Sequence, residues 1–154
     1  MKAIKQLGVV LLPTIFDLAN AFLSIEPMSN KKLQKMCYYA QAWHLALEDE
    51  PLLKETSFEA WVHGPVNPKL YHYYKDYGYD AITIKDIVIP VDILAFAKQV
   101  HESYGHLDAY ELECLAHQEA PWKEARGNLR PWEPCNTVIS EASMKEYYRS
   151  KIAA

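Results

Sequence analysis

Cys114, His117 and Glu119 lie close along the chain and could in principle supply a nucleophile, a base and an acid. Covalent catalysis would need the cysteine activated by a base within hydrogen-bond reach, and Cys114 and His117 can share a helix face. With three cysteines and six histidines present, one such spacing is easily met by chance. A zinc site would need three or four histidine, cysteine or carboxylate ligands. His117 and Glu119 do not project from one helical face, and the other candidates, Cys37 and His44, are far off in sequence. There is no Cys-x-x-Cys, no His-x-x-x-His and no glycine-rich loop to cradle a phosphate. The sequence therefore assigns no catalytic residue, no metal and no cofactor. His117 and Glu119 read as structural hydrogen-bonding groups, with each other's neighbours or Arg126 as partners. His44, on an apolar helix face, reads as a histidine satisfied by a backbone or carboxylate group rather than a proton shuttle.

Aromatic side chains are the stronger signal. Tyr38, Tyr39, Trp43, Trp61, Tyr71, Tyr73, Tyr74, Tyr77, Tyr79 and Trp122 exceed what one small core encloses, and tryptophan and tyrosine dominate protein interfaces. Trp61 and His63 alternate away from Phe58, Ala60 and Val62. Tyr73 and Tyr77 lie one helical turn apart, off the stripe assigned to Leu70, Tyr71 and Tyr74. The Gly64-Pro65 turn would join these outward faces, so Trp61, His63, Tyr73 and Tyr77 are expected to form one partner-binding patch.

The elements that must position these residues are mostly helical. Ile15, Leu18, Ala19 and Phe22 mark a helix over Thr14 to Ser24, stopped by Pro27. Ser29 caps a second helix, from about Asn30 to Glu48, with Met28 and Leu33 as its hydrophobic staple. The apolar stripe of that helix is Leu33, Met36, Cys37, Ala40, His44 and Leu47, with Lys31, Gln34, Lys35 and Gln41 outside it. Thr56 to Val62 alternates as a strand ended by Gly64-Pro65, and Ile82-Thr83-Ile84 reads either as its partner or as an apolar loop. Asn67 before Pro68 opens a helix to about Tyr77, with Gly78 as its C-cap. Val91 to Tyr104 is helical and ended by Gly105. Asp108 and Glu111 form a capping box for a helix to about Gln118. Pro121 opens a brief helical turn, Gly127 to Thr137 is a loop, and Ser140 caps a final helix with Ile139 and Met144 as its staple. The expected fold is mostly α: a compact single-domain bundle of about six helices with a minor strand or hairpin.

At 154 residues the chain fits one domain, and a fold of this size buries about 68–70% of its unfolded surface. The formal charge is −4, with the acidic excess after Tyr77, unlike the basic footprint of a nucleic-acid binder. Three widely separated cysteines suit reduced thiols in a cytoplasmic protein. Leu7 to Leu12 is too short for an ordinary signal sequence, and no later stretch reaches membrane-span length.

Two blocks place the chain beside a known family. Lys32-Leu33-Gln34-Lys35-Met36-Cys37-Tyr38-Tyr39-Ala40-Gln41-Ala42-Trp43-His44-Leu45 runs on to Glu59-Ala60-Trp61-Val62-His63-Gly64-Pro65-Val66. Leu115-Ala116-His117-Gln118-Glu119-Ala120-Pro121-Trp122-Lys123-Glu124-Ala125-Arg126 forms the second. Together they resemble the Panacea domain, the SocA-like family of prokaryotic antitoxins, also described as phage-associated proteins. The likeness runs from Thr14 through Arg126 and more loosely to Tyr147-Tyr148, which implies a domain over 14–154 after an extension, 1–13, with no assigned role. The family usually has an aromatic where this chain has His63. The resemblance implies a non-enzymatic antitoxin that binds a protein toxin encoded by an adjacent gene. Similar proteins are thought to pass the toxin to an intracellular ATP-dependent protease. No nucleic acid is expected to bind this chain alone, and no membrane. Trp61, His63, Tyr73 and Tyr77 would then meet the toxin, while Trp43, Gly64, Pro65, His117, Glu119, Pro121, Trp122 and Arg126 hold the fold. The rival readings are a mobile-element or prophage interaction module without a toxin, and a small hydrolase built on Cys114, His117 and Glu119.

Overall fold

A computed structural model describes residues 12–152; most of the expected 1–13 extension lies outside them. Seven α-helices and one short hairpin follow in order: α1 Ile15–Ile25, α2 Asn30–Glu48, β1 Glu59–Trp61, β2 Gly64–Val66, α3 Pro68–Tyr74 with a 3₁₀ turn Lys75–Tyr77, α4 Val91–Tyr104, α5 Ala109–His117, α6 Ala120–Arg126 and α7 Glu141–Ile152. The mostly α expectation holds, and the brief turn expected at Pro121 is a helix in its own right, α6, which brings the described helices to seven.

Helix starts fall where their capping residues place them. Thr14 and Asp17 close a reciprocal box on α1, and Asp108 and Glu111 do the same on α5. Ser29 accepts from Lys32 N on α2, and Asn67 accepts from Leu70 N on α3, ahead of Pro68. Each cap satisfies a backbone donor that the first turn leaves free. Ser140 accepts from Ser143 N at the start of α7.

Helix α2 is the central post of the bundle, packed against α1, α3, α4, α5, α7 and β2. Its burial therefore runs almost all the way round, which corrects the single stripe read from the sequence. Gln34, Lys35 and Gln41, expected outside the stripe, are 1% exposed, whereas Leu47, expected inside, is 51% exposed. Three polar side chains survive burial by acting as backbone partners. Gln41 accepts from Leu53 N (2.9 Å) and donates to Leu53 O (2.8 Å), pinning the loop after α2. Gln34 accepts from Asn67 N (2.9 Å), and Asn30 donates to Tyr71 O (3.1 Å).

The strand expected over Thr56 to Val62 is shorter and has a different partner. Residues Glu59–Trp61 pair antiparallel with Gly64–Val66, in register Ala60 opposite Pro65, across the two-residue turn Val62-His63. Gly64 and Pro65 thus belong to the second strand rather than ending the first. A proline is tolerated because Ala60 turns both of its backbone groups away, its N–H to Thr137 O and its carbonyl to Arg126. The far edge of β1 is covered by Thr137 to Ile139. Ile82 pairs with Met28 in an isolated bridge, so the 82–84 segment lies against the start of α2, not against β1.

Candidate partner-binding site

The second sequence block acts as a clamp on the hairpin. Proline at the start of α6 and Gly127 (φ 59°) after it confine that helix to two turns, which carry Trp122 and Arg126 on one side. Trp122 Nε1 donates to Trp61 O (2.8 Å), and Arg126 Nη1 donates to Ala60 O (2.9 Å). The Arg126 guanidinium lies 4.8 Å from the Trp122 ring centre and also binds the carbonyls of Arg130 and Glu133. His117 stacks on the indole with the ring centres 4.1 Å apart. Burial pushes the His117 imidazole below its usual range, against the pull of Glu113 and the Val62 backbone. Its Nε2 is buried without a hydrogen-bond partner among the described residues.

Glu119 does not serve Arg126, as the sequence suggested it could. Its Oε1 accepts from Tyr39 OH (2.7 Å) and Tyr148 OH (2.8 Å), and Tyr148 OH also reaches Tyr38 OH at 3.3 Å. Burial raises the Glu119 carboxyl above its usual range, opposed by the two hydroxyls. This buried knot joins α2, α6 and α7. Trp43 Nε1 donates to Tyr104 OH (2.7 Å) and ties α2 to α4. His44 Nδ1 lies 2.7 Å from Glu50 O, the backbone partner expected for it. No hydrogen bond joins Cys114, His117 and Glu119 among the described residues: the carboxylate faces tyrosines, and the imidazole lies flat on Trp122.

With the hairpin held in this way, its outer face and α3 enclose a cleft of about 1020 Å³. Trp61 and Tyr71 form an edge-to-face wall at 5.1 Å, and Trp61 Nε1 donates to Glu59 Oε1 (2.8 Å). His63 stands on the rim, 71% exposed at its side chain, with Nδ1 3.0 Å from Glu113 Oε2. Tyr79, 93% exposed, and Lys75 line the opposite side. Lys35 lines the interior.

The four residues expected in one patch divide between two grooves. Trp61 and His63 line the large cleft, while Tyr73 and Tyr77 line a second groove with Phe16, Ile84 and Ile87. Helical geometry explains the division. Leu70 and Tyr74 form the buried line of α3, and Tyr71 and Tyr73 fall on its opposite flanks. Tyr71, read as part of the buried stripe, is 36% exposed and is the tyrosine that meets Trp61. Sequence reasoning also passed over Lys31, Lys35 and Glu113. The i, i+4 spacing of the two lysines beside Gln34 was visible, but nothing in it tells a solvated face from a buried one.

Glu113 gathers bases around itself. It pairs with Lys31 and His63, and His117 Nε2 lies 4.0 Å away. Burial works to raise the Glu113 carboxyl, but Lys31 and His63 outweigh it and hold it below the usual range. Lys35 has no such partner. Gly64 sits against it with φ 109°, and a side chain there would place Cβ 2.7 Å from Lys35 Cε, so this glycine makes room for the lysine.

The helical scaffold clamps an aromatic-walled cleft, and among the described residues no group of three or more histidine, cysteine or acidic residues is placed to hold a metal. The chain belongs to the antitoxin SocA-like, Panacea domain family, whose match covers residues 33–123. It is 31% identical over 111 residues to a protein named antitoxin SocA from Caulobacter vibrioides, an alignment covering 62% of this chain and 58% of that protein. The chain thus spans less than two thirds of that relative's length. No solved structure matches it. No helix among the described residues is long and apolar enough to cross a membrane.

Proposed function

We propose that this chain is a cytoplasmic, non-enzymatic antitoxin that neutralises a protein toxin encoded by an adjacent gene through direct binding, with transfer to an ATP-dependent protease as a further step. The observation that carries the reading is the clamped hairpin. Side chains of α6 hold the backbone of Ala60 and Trp61 from behind, and Glu113 of α5 holds His63, so the outward face of the cleft is pre-organised, which lowers the ordering cost of association. Trp61 and His63, with Tyr71, supply the main contact. Tyr73 and Tyr77 in the neighbouring groove extend it. Family membership supports a toxin as the partner.

Expression of the adjacent gene, alone and together with this chain, tests the proposal: growth should stop in the first case and resume in the second. With both proteins purified, neutralisation should saturate at a fixed molar ratio, because an occluding binder is consumed one for one. Inactivation of a large excess of toxin by trace amounts of this chain would replace occlusion with turnover.

A further inference from the structure

Lys35 is 1% exposed, and among the described residues its ammonium has neither a hydrogen bond nor an ion pair. Its neighbours on α2 show how unusual this is, since Asn30, Gln34 and Gln41 all find backbone groups. A buried cation that a counter-charge offsets only in part, here Glu113, is costly. The fold nevertheless accommodates it, keeping Gly64 without a side chain where one would strike Lys35 Cε. Lys35 is also among the residues that line the large cleft.

The charges around the cleft are unbalanced in one direction. Lys31 and His63 already share Glu113. Glu59, the carboxylate of the lining, is turned onto the Trp61 indole. Lys75 and His72 stand at the α3 side. A cationic interior in a chain of net charge −4 is complementary to an anion, and the Trp61–Tyr71 wall beside it suits the aliphatic stem that carries one. We propose that the cleft is a receptor for a single acidic side chain, glutamate or aspartate, presented by the partner protein, with the carboxylate meeting Lys35 Nζ and the stem lying against Trp61 and Tyr71. The identity of the partner as a toxin rests on the antitoxin reading; the carboxylate site does not.

The test uses the full chain and three tetrapeptides: acetyl-Ser-Leu-Glu-Ser-amide, its glutamine counterpart with both ends blocked, and the glutamine peptide with a free C-terminus. Binding is followed by isothermal titration, which reads the unaltered chain and Lys35→Met alike. The blocked glutamate peptide should bind about tenfold or more tightly than the blocked glutamine peptide, as expected for a charge-assisted pair, and Lys35→Met should erase that preference. Equal binding of the two blocked peptides overturns the site, as does a preference that survives in Lys35→Met. Tighter binding of the free C-terminus than of the blocked glutamate overturns the side-chain assignment. The comparison on the unaltered chain stands even if Lys35→Met fails to fold. A chain that protects cells but ignores the glutamate peptide loses this site and keeps the antitoxin reading; one that takes the peptide without protecting does the reverse.

Discussion

Lys35 sets a stability cost that depends on pH. Burial pushes its ammonium from an ordinary 10.5 down to about 7, with Lys31 adding to the shift and Glu113 opposing it. Between those values the unfolded chain holds a proton that the folded chain has released, so stability rises with pH across that window. Below it both states are charged and the cost is at its full size. Lys35→Met should therefore stabilise the chain on the order of 5 kcal/mol below neutral pH, with the gain shrinking to nothing towards the ordinary lysine value; melts across the window measure the slope. Glu119 runs the other way. Its carboxyl is raised from 4.5, mainly by burial, so stability falls as pH climbs from 4.5 to the raised value and is level above it. Glu119→Gln keeps an acceptor for Tyr39 and Tyr148 without the charge, and should match or exceed the parent at neutral pH and converge with it as pH falls to 4.5. Glu119→Ala strands both hydroxyls and should lose about 2–4 kcal/mol in denaturant titrations. Neither role was legible in the sequence, where Lys35 read as solvated and Glu119 as a neighbour of Arg126.

At the scale of elements, the sequence was most legible where a local bond sets the boundary. Ser29, Asn67, Asp108 with Glu111, and Ser140 mark helix starts by bonds made within three residues, and such bonds need no tertiary context. The hairpin was less so. Its second strand is three residues containing a glycine and a proline, and it exists because α6 and the Thr137 to Ile139 segment satisfy β1 from outside. The two-groove division of the aromatic patch follows from the flanks of α3, which a linear reading merged into one face. The clamp makes a direct prediction. Trp122→Ala removes the stack on His117 and the bond to Trp61 O together, and should cost about 3–5 kcal/mol in thermal or denaturant unfolding. Loss of neutralisation should track the unfolded fraction. A Trp122→Ala chain with an unchanged melting temperature and no neutralisation would move Trp122 into the contact itself.

For the whole molecule, binding and stability should separate by location. Trp61→Ala and Tyr77→Ala trim rings on the cleft and the second groove, and each should weaken toxin binding about thirtyfold with the melting temperature largely kept. Isothermal titration of both variants and their combination tests this, and the losses should add because the rings line different grooves. Parent-like binding by both variants, with the fold intact, would place the interface elsewhere.

The tyrosine knot also bears on when the protein becomes active during its synthesis. Helix α7 packs extensively on α2, and Tyr148 meets Tyr38 and Glu119 across separations of 110 and 29 residues. While a ribosome is still making the loop after Arg126, the face of α2 that packs on α7 has no cover and Glu119 lacks one of its two donors. Pairings this distant in sequence close late. A stalled nascent chain should therefore be cut by protease at a stage when nearly all of the cleft residues have emerged, and become resistant only once Tyr148 has cleared the exit tunnel. On the antitoxin reading, neutralisation then begins only once α7 has packed on α2, and any slowing of translation over α7 lengthens the interval in which the partner acts unopposed.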